Sequence, residues 1–155
     1  MQDTVIAIPT MGRVGNQITL NQLPKRWRDK TYLVCPPNEE HEHQFISCPE
    51  KGIHRVRQWI MSNIDAGCII MLDDDMKFRN REPKPEGGFK LVYSGQEEAG
   101  QAMDWLQEAI QWRGFIQAGL GQDYMSQMKP DEEMVGVVIA AHAYDVQRYR
   151  KMNYR

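Results

Sequence analysis

Three consecutive aspartates, Asp73, Asp74 and Asp75, end the apolar run in "GCIIMLDDDMKF" (residues 67–78). In an extended chain alternate side chains point to opposite sides, so Asp73 and Asp75 are expected together and Asp74 apart. Carboxylates this close repel one another in a partly desolvated crevice, and a hard divalent cation is the usual counter-charge. Mg2+ or Mn2+ brings phosphates with it. A D-x-D at a strand end therefore reads as a metal-bridged diphosphate site, the metal stabilising a departing nucleoside diphosphate. The competing reading is a solvated turn whose carboxylates pair with nearby lysine and arginine.

The elements that must position these residues alternate. "TVIAIPT" is a β-branched run stopped by Pro9, and "MGRVGN" supplies a glycine-bearing loop before a helix expected over about 15–23. "KTYLVCPP" and "FISCP" read as a second strand and a short third one. "GIHRVRQWIMSNIDAG" spaces Ile53, Val56, Ile60 and Ile64 by three and four, the period of a helix with one buried face, with Gly67 as its stop. "CIIMLDDD" follows directly as a strand. Buried strands alternating with amphipathic helices predict an α/β fold, a single Rossmann-like domain with a mainly parallel sheet flanked by helices. Ligands then bind at the carboxyl ends of the strands, which aligns the loops after strands one and two with the aspartates.

Beyond Phe78 the pattern weakens. "RNREPKPEGG" reads as an exposed loop (79–96 overall) in which "FKLVY" is a candidate strand. "QEEAGQAMDWLQEAIQWRG" puts Ala99, Met103, Leu106 and Ile110 on one helical face, with Gly114 as a stop signal. "MVGVVIAA" reads as the last strand, ahead of the basic and aromatic "HAYDVQRYRKMNYR".

With 155 residues and a formal net charge of -2, the chain has the length of one domain and no overall basic field for general phosphate attraction. Its longest apolar runs are too short to span a membrane and no leader is visible, so the expected compartment is the cytoplasm. Three cysteines, Cys35, Cys48 and Cys68, form no disulfide framework. Cys68 is expected as a buried thiol. The cluster of His41, His43 and Cys48 matches no common zinc spacing.

Taken in order, "TVIAIPTMGR", "LPKRWRDKTYLVCPPNEE" and "GIHRVRQWIMSNIDAGCIIMLDDDMKF" resemble the first half of a GT-A fold glycosyltransferase of the family 2 type. Within that group the "IPTxGR…LDDDMxF" combination is most similar to bacteriophage TET-associated glycosyltransferases, which decorate hydroxymethylated pyrimidines in DNA. The resemblance covers about residues 4–78. It implies a nucleotide-sugar donor lined by Pro9, Thr10 and Arg13, with Glu39 or Glu40 near the base or ribose. It also implies Asp75 as ligand to Mn2+ or Mg2+, Asp73 on the metal or nucleotide, and Asp74 on sugar or ribose hydroxyls. Arg57 matches the arginine of the family's helix. At 100° per residue it falls between Ile53, Ile60 and Ile64, where a charge needs a partner. It is placed to reach the aspartates or a diphosphate, the alternative being an ion pair with no ligand role.

The implied activity is metal-dependent transfer of a sugar to a hydroxyl acceptor, a hydroxymethylated pyrimidine in phage DNA being one candidate. The alternatives are a non-catalytic nucleotide-binding or partner-binding remnant, and a nucleotidyltransferase, whose glycine-rich basic loop "PTMGRVGNQ" faintly echoes. The pattern departs from the family at the general base, typically an "ED" pair well after the D-x-D. Glu97, Glu98, Asp104 and Glu108 read as the solvated face of a helix, and "DEEM" precedes the last strand. No catalytic residue is identified, and the chain stops where the family continues, which reads as either an N-terminal fragment or a compact variant with a relocated base, the fragment being the expected one. The terminal Arg148, Tyr149, Arg150, Lys151, Tyr154 and Arg155 read either as a nucleic-acid contact or as an amphipathic end piece. His142 reads as structural rather than as a metal ligand.

Overall fold

The computed structural model describes residues 3–120 and 141–153. Its elements are β1 (Thr4–Pro9), α1 (Ile18–Gln22), α2 (Lys25–Arg28), β2 (Thr31–Cys35), β3 (Phe45–Ser47), α3 (Ile53–Asn63) and β4 (Cys68–Leu72). They are followed by β5 (Arg79–Pro83), β6 (Phe89–Tyr93), α4 (Gln96–Gln111), β7 (Gln117–Leu120), β8 (Ala141–Asp145) and α5 (Val146–Asn153). Six strands form one sheet in the order β3-β2-β1-β4-β8-β7, in which only β8 runs against the rest. This is the mainly parallel, helix-flanked α/β domain expected from the alternation.

β4 is apolar at every position, and β1 and β2 are buried along almost their whole length, because both faces of the sheet are covered there. Ile6, Ile8, Leu33, Ile70 and Leu72 face one side, where Leu20, Leu23, Trp27 and Met103 from α1, α2 and α4 complete a core cluster. Ala7, Val34, Ile69 and Met71 face the other, packed with Ile60 and Met61 of α3 and Val146 of α5. Ala7 pairs with Met71 and Pro9 with Val34, so β1, β2 and β4 end along one edge.

Several boundaries differ from the sequence reading, each for a local reason. The first helix is only Ile18–Gln22; Gly15, at φ +76, keeps the preceding loop non-helical, and Leu23 turns extended before Pro24. Pro24 then precedes the short α2, which the pattern did not announce. In α3, Ile53 is 52% exposed, while Ile60 is fully buried and Ile64 has left the helix as its extended cap. The helix ends there without Gly67. Arg150 of α5 covers the free carbonyls, donating from Nε to Met61 O at 2.7 Å and from Nη2 to Ile64 O at 3.1 Å.

The stretch read as a loop after Phe78 is a hairpin, β5 antiparallel to β6. Gly87 and Gly88, at φ +94 and +77, make its turn. It was hard to read because it buries no face that would impose a period. The face of α4 is as expected, with Ala99, Met103, Leu106 and Ile110 all buried. Most of "MVGVVIAA" lies outside the described residues; the described part of β8 begins at Ala141.

Cys35, Cys48 and Cys68 are free and buried. Burial pushes the Cys68 thiol up to about 11. Above pH ~9 the unfolded chain loses this proton while the folded chain retains it, so stability falls with rising pH, by at most ~1.4 kcal/mol per pH unit until about pH 11. Denaturant titrations of wild type and Cys68→Ala at about pH 8 and about pH 10.5 should differ in this slope. Parallel alkaline losses in both would contradict it.

Candidate functional site

β4 ends at Leu72, and the chain turns through Asp73, Asp74 and Asp75 at the edge where β1 and β2 also stop. The extended-strand alternation therefore does not hold. Asp73 pairs with Arg57 Nη2, whereas Asp74 and Asp75 share Arg13, with Arg13 Nε 3.1 Å from Asp74 Oδ2 and Nη2 3.2 Å from Asp75 Oδ2. Thr10 Oγ1 also donates to Asp74 Oδ2 at 2.9 Å. Asp74 is the most enclosed carboxylate, at 17% side-chain exposure, and Asp75 the most open, at 58%.

Each sequence-chosen residue can now be placed. Pro9 is the last residue of β1, and the Thr10 N–H continues its ladder to Val34 O. Gln17 donates from Nε2 to Arg13 O at 2.9 Å and to Thr10 Oγ1 at 3.4 Å, which fixes the loop that carries both. Glu39 holds the same loop from β2's side: its Oε1 accepts the Gly12 N–H at 2.8 Å, where Gly12 adopts φ +71. Its second oxygen lies 3.6 Å from His41 Nε2. Arg57, a third exposed, reaches Asp73 from the second turn of α3, with its Nε buried and without a partner. Glu40 lies instead on the rim of a cavity of about 550 Å3 beyond Gln17, floored by Leu20 and Leu33 and bordered by Arg28 and His41.

Other candidates are committed elsewhere. His43 Nε2 lies 2.7 Å from Thr31 O and Cys48 is buried under α3; among the described residues no three His, Cys, Asp or Glu side chains are arranged to hold a metal ion, those of the aspartate turn included. His142 pairs with Met71 in the sheet, has Nδ1 3.1 Å from Gln117 Nε2 and stacks on Tyr144. Burial raises the Tyr144 phenol, and Tyr149 adds to this while Arg57 opposes it. Glu97 and Asp104 form ion pairs with Arg26 of α2, and the Asp145 carboxylate accepts the Arg148 N–H at the start of α5. The remaining downstream acidic residues, Asp123 and the Asp131, Glu132 and Glu133 of "DEEM", lie outside the described residues. In the tail, Arg148 donates to Gly114 O at 2.6 Å and Arg150 caps α3, so both serve the fold; Tyr154 and Arg155 lie outside the described residues.

Residues that the sequence reading missed come from α1. Thr19 and Gln22, one helical turn apart, bind the backbone of the aspartate turn. Thr19 Oγ1 donates to Asp73 O at 2.5 Å and accepts the Met76 N–H at 2.8 Å. Gln22 donates to Met76 O at 2.5 Å and accepts the Phe78 N–H at 3.0 Å. The available signal was two polar side chains three apart on a short helix otherwise pinned by Leu20 and Leu23.

The fold and this edge define a class: a mixed α/β domain that gathers three carboxylates, two guanidinium groups and a hydroxyl at the carboxyl ends of parallel strands. No family model matches the chain, and no curated protein matches it. Among solved structures, a CMP:2-keto-3-deoxy-manno-octonic acid synthetase complexed with CTP is similar at TM-score 0.48 and 10% identity, over 96% of this chain and 78% of that one. No described helix is long and apolar enough to cross a membrane.

Proposed function

We propose that the protein binds a nucleotide-sugar donor at the aspartate turn and transfers its sugar to a hydroxyl acceptor with the help of Mn2+ or Mg2+. The observation that carries this reading is the convergence of Thr10, Arg13 and Arg57 on Asp73, Asp74 and Asp75 at the strand ends. Mg2+ is commonly held by one or two carboxylates together with substrate phosphates rather than by a full protein cage. Asp75, the most open of the three, and Asp73, about a third exposed, fit that requirement. A bound divalent cation supplies charge neutralisation to the diphosphate leaving group. Arg13 and Arg57, donors with fixed planar geometry, exchange carboxylates for phosphate oxygens when a diphosphate enters. Asp74, held by both Thr10 and Arg13, is placed to orient ribose or sugar hydroxyls.

The resemblance to phage DNA-base glycosyltransferases makes a hydroxymethylated pyrimidine a candidate acceptor. A nucleotidyltransferase reading is favoured by one observation, that Gly12 and Gly15 both adopt positive φ around Arg13 in the loop after β1. A non-catalytic remnant would bind nucleotide without turnover.

Calorimetry with UDP, UDP-glucose and CTP, with and without Mn2+, tests these readings. The expected result is Mn2+-dependent nucleoside diphosphate binding that weakens at least about tenfold, some 1.4 kcal/mol, in Asp75→Ala. Absence of binding under every condition would sink the transferase reading. Preference for CTP, with pyrophosphate released on turnover, would select nucleotidyl transfer.

A further inference from the structure

α4 turns two tryptophans outward. Trp105 is 65% exposed and Trp112 76%, on the side away from the buried stripe of Ala99, Met103, Leu106 and Ile110. Seven residues apart on a helix, they share one face and stand about 10 Å apart along the axis. A fully covered tryptophan buries about 150–250 Å2, so at these exposures the pair leaves roughly 200–350 Å2 of apolar surface open. An open patch of that size on a folded domain is often an interaction site.

Charge is spread unevenly along the same helix. Its first half carries Glu97, Glu98 and Asp104, and one cation, Arg26 of α2, is shared by Glu97 and Asp104. At the far end stand Arg113, with Nε 3.6 Å from Glu108 Oε1, and Arg148, which donates to Gly114 O and whose own N–H is accepted by Asp145. The first half is therefore net acidic, and the last turn has guanidinium groups balanced by carboxylates.

We propose that this face of α4 docks against the same face of a second copy of the chain, with the two helices antiparallel about a two-fold axis that passes between Glu108 and Ala109. In a two-fold contact, when residue i meets residue j, j also meets i. An axis midway between the tryptophans satisfies this, because Trp105 of each copy then meets Trp112 of the other. Charge selects the antiparallel arrangement: it separates the two acidic halves, lays each along the guanidinium-bearing end of its neighbour, and opposes the two helix dipoles. A parallel pair would set the acidic halves side by side. Glu108, nearest the axis, brings Arg113 with it as counter-charge. The tryptophan patches of two copies, with Phe115, 46% exposed, and the polar side chains around them, join roughly 1,000 Å2, the lower end of specific interfaces, so the dimer is a weak one. An anionic lipid surface is a poorer occupant, since the acidic half repels it. The inference goes beyond the reading of the aspartate turn and does not depend on it.

Sedimentation velocity on the full chain, from about 1 μM to about 1 mM, tests this. The expected result is a reversible monomer–dimer equilibrium within that range. Trp105→Ser, Trp112→Ser and Arg113→Glu should each weaken dimerisation by about tenfold or more. All three side chains are exposed, so the far-ultraviolet circular dichroism and urea midpoint of each variant should stay close to wild type. The three native cysteines are buried, which allows a test of register: Glu108→Cys, beside the axis, should cross-link to its own copy with a short bismaleimide, and Lys84→Cys, on the β5–β6 hairpin, should not. A chain that stays monomeric throughout the range would overturn the proposal. So would a dimer that survives loss of either tryptophan, or cross-linking that is equal at positions 84 and 108.

Discussion

Thr19→Val should lower the unfolding free energy by about 2–4 kcal/mol and, at temperatures where the variant is still folded, remove Mn2+-dependent nucleotide binding. The substitution conserves shape and deletes one hydroxyl. That hydroxyl is fully buried and serves both sides of the turn, donating to Asp73 O and accepting from Met76 N. Without it a carbonyl and an N–H lose their partner where little water can replace it, and each such loss costs about 1–3 kcal/mol. The Thr19 N–H to Asp74 O bond, at 3.2 Å, survives, so the turn loosens rather than detaches. Asp73 and Asp75 then no longer hold a fixed separation. Thr19→Ser keeps the hydroxyl and should retain nucleotide affinity within about twofold at a stability cost near 1 kcal/mol, that of a buried methyl group. Urea denaturation and calorimetry on both variants check the pair. Equal nucleotide affinity in Thr19→Val and wild type would contradict the positioning role.

Trp27→Ala should cost about 3–5 kcal/mol of stability, with nucleotide affinity unchanged below the melting transition. Trp27 is 3% exposed and fills the core between α2 and the sheet, and its indole N–H donates to Asp104 Oδ1 at 3.0 Å. Arg26 of the same short helix bonds Glu97 Oε2 at 2.7 Å and Asp104 Oδ2 at 3.1 Å, joining α2 to α4. The elements sit so close that a Cβ on Gly100 would come 2.6 Å from Arg26 Nη2 and 2.7 Å from Pro24 Cγ. Trp27→Phe retains most of the apolar volume and loses the N–H bond, so it should cost much less than Trp27→Ala. Equal losses in the two variants would mean that the hydrogen bond, rather than burial, carries the contribution. The two predictions separate two functions of the α1–α2 region: Thr19 shapes the site, and Trp27 holds the layer that supports it.

Legibility in the sequence followed burial. β1, β2 and β4 are buried on both faces and announce themselves as apolar runs, and α4 has one apolar stripe; all four were readable. The hairpin and α2 were not, since the first has no buried face and the second is one turn long, anchored by a single tryptophan. The Arg57–Asp73 pair was legible as a possibility, because helical geometry put a charge near an apolar face and an acidic strand end stood nearby. Glu39 was chosen for a donor; in the fold it accepts the Gly12 N–H and holds the β1 loop, a contact between residues 27 apart in sequence.

The sequence by itself determined that buried strands alternate with helices and that three carboxylates stand at the end of a central strand, because periodicity and residue type are local properties. Only the tertiary structure decided which cation faces which carboxylate. That depends on where β4 stops: with Leu72 the last strand residue, the aspartates follow the geometry of a turn, and Thr19 and Gln22, more than fifty residues away, hold that turn in place. Side-chain direction in a turn is set by its hydrogen-bond partners, and those partners come from another part of the chain.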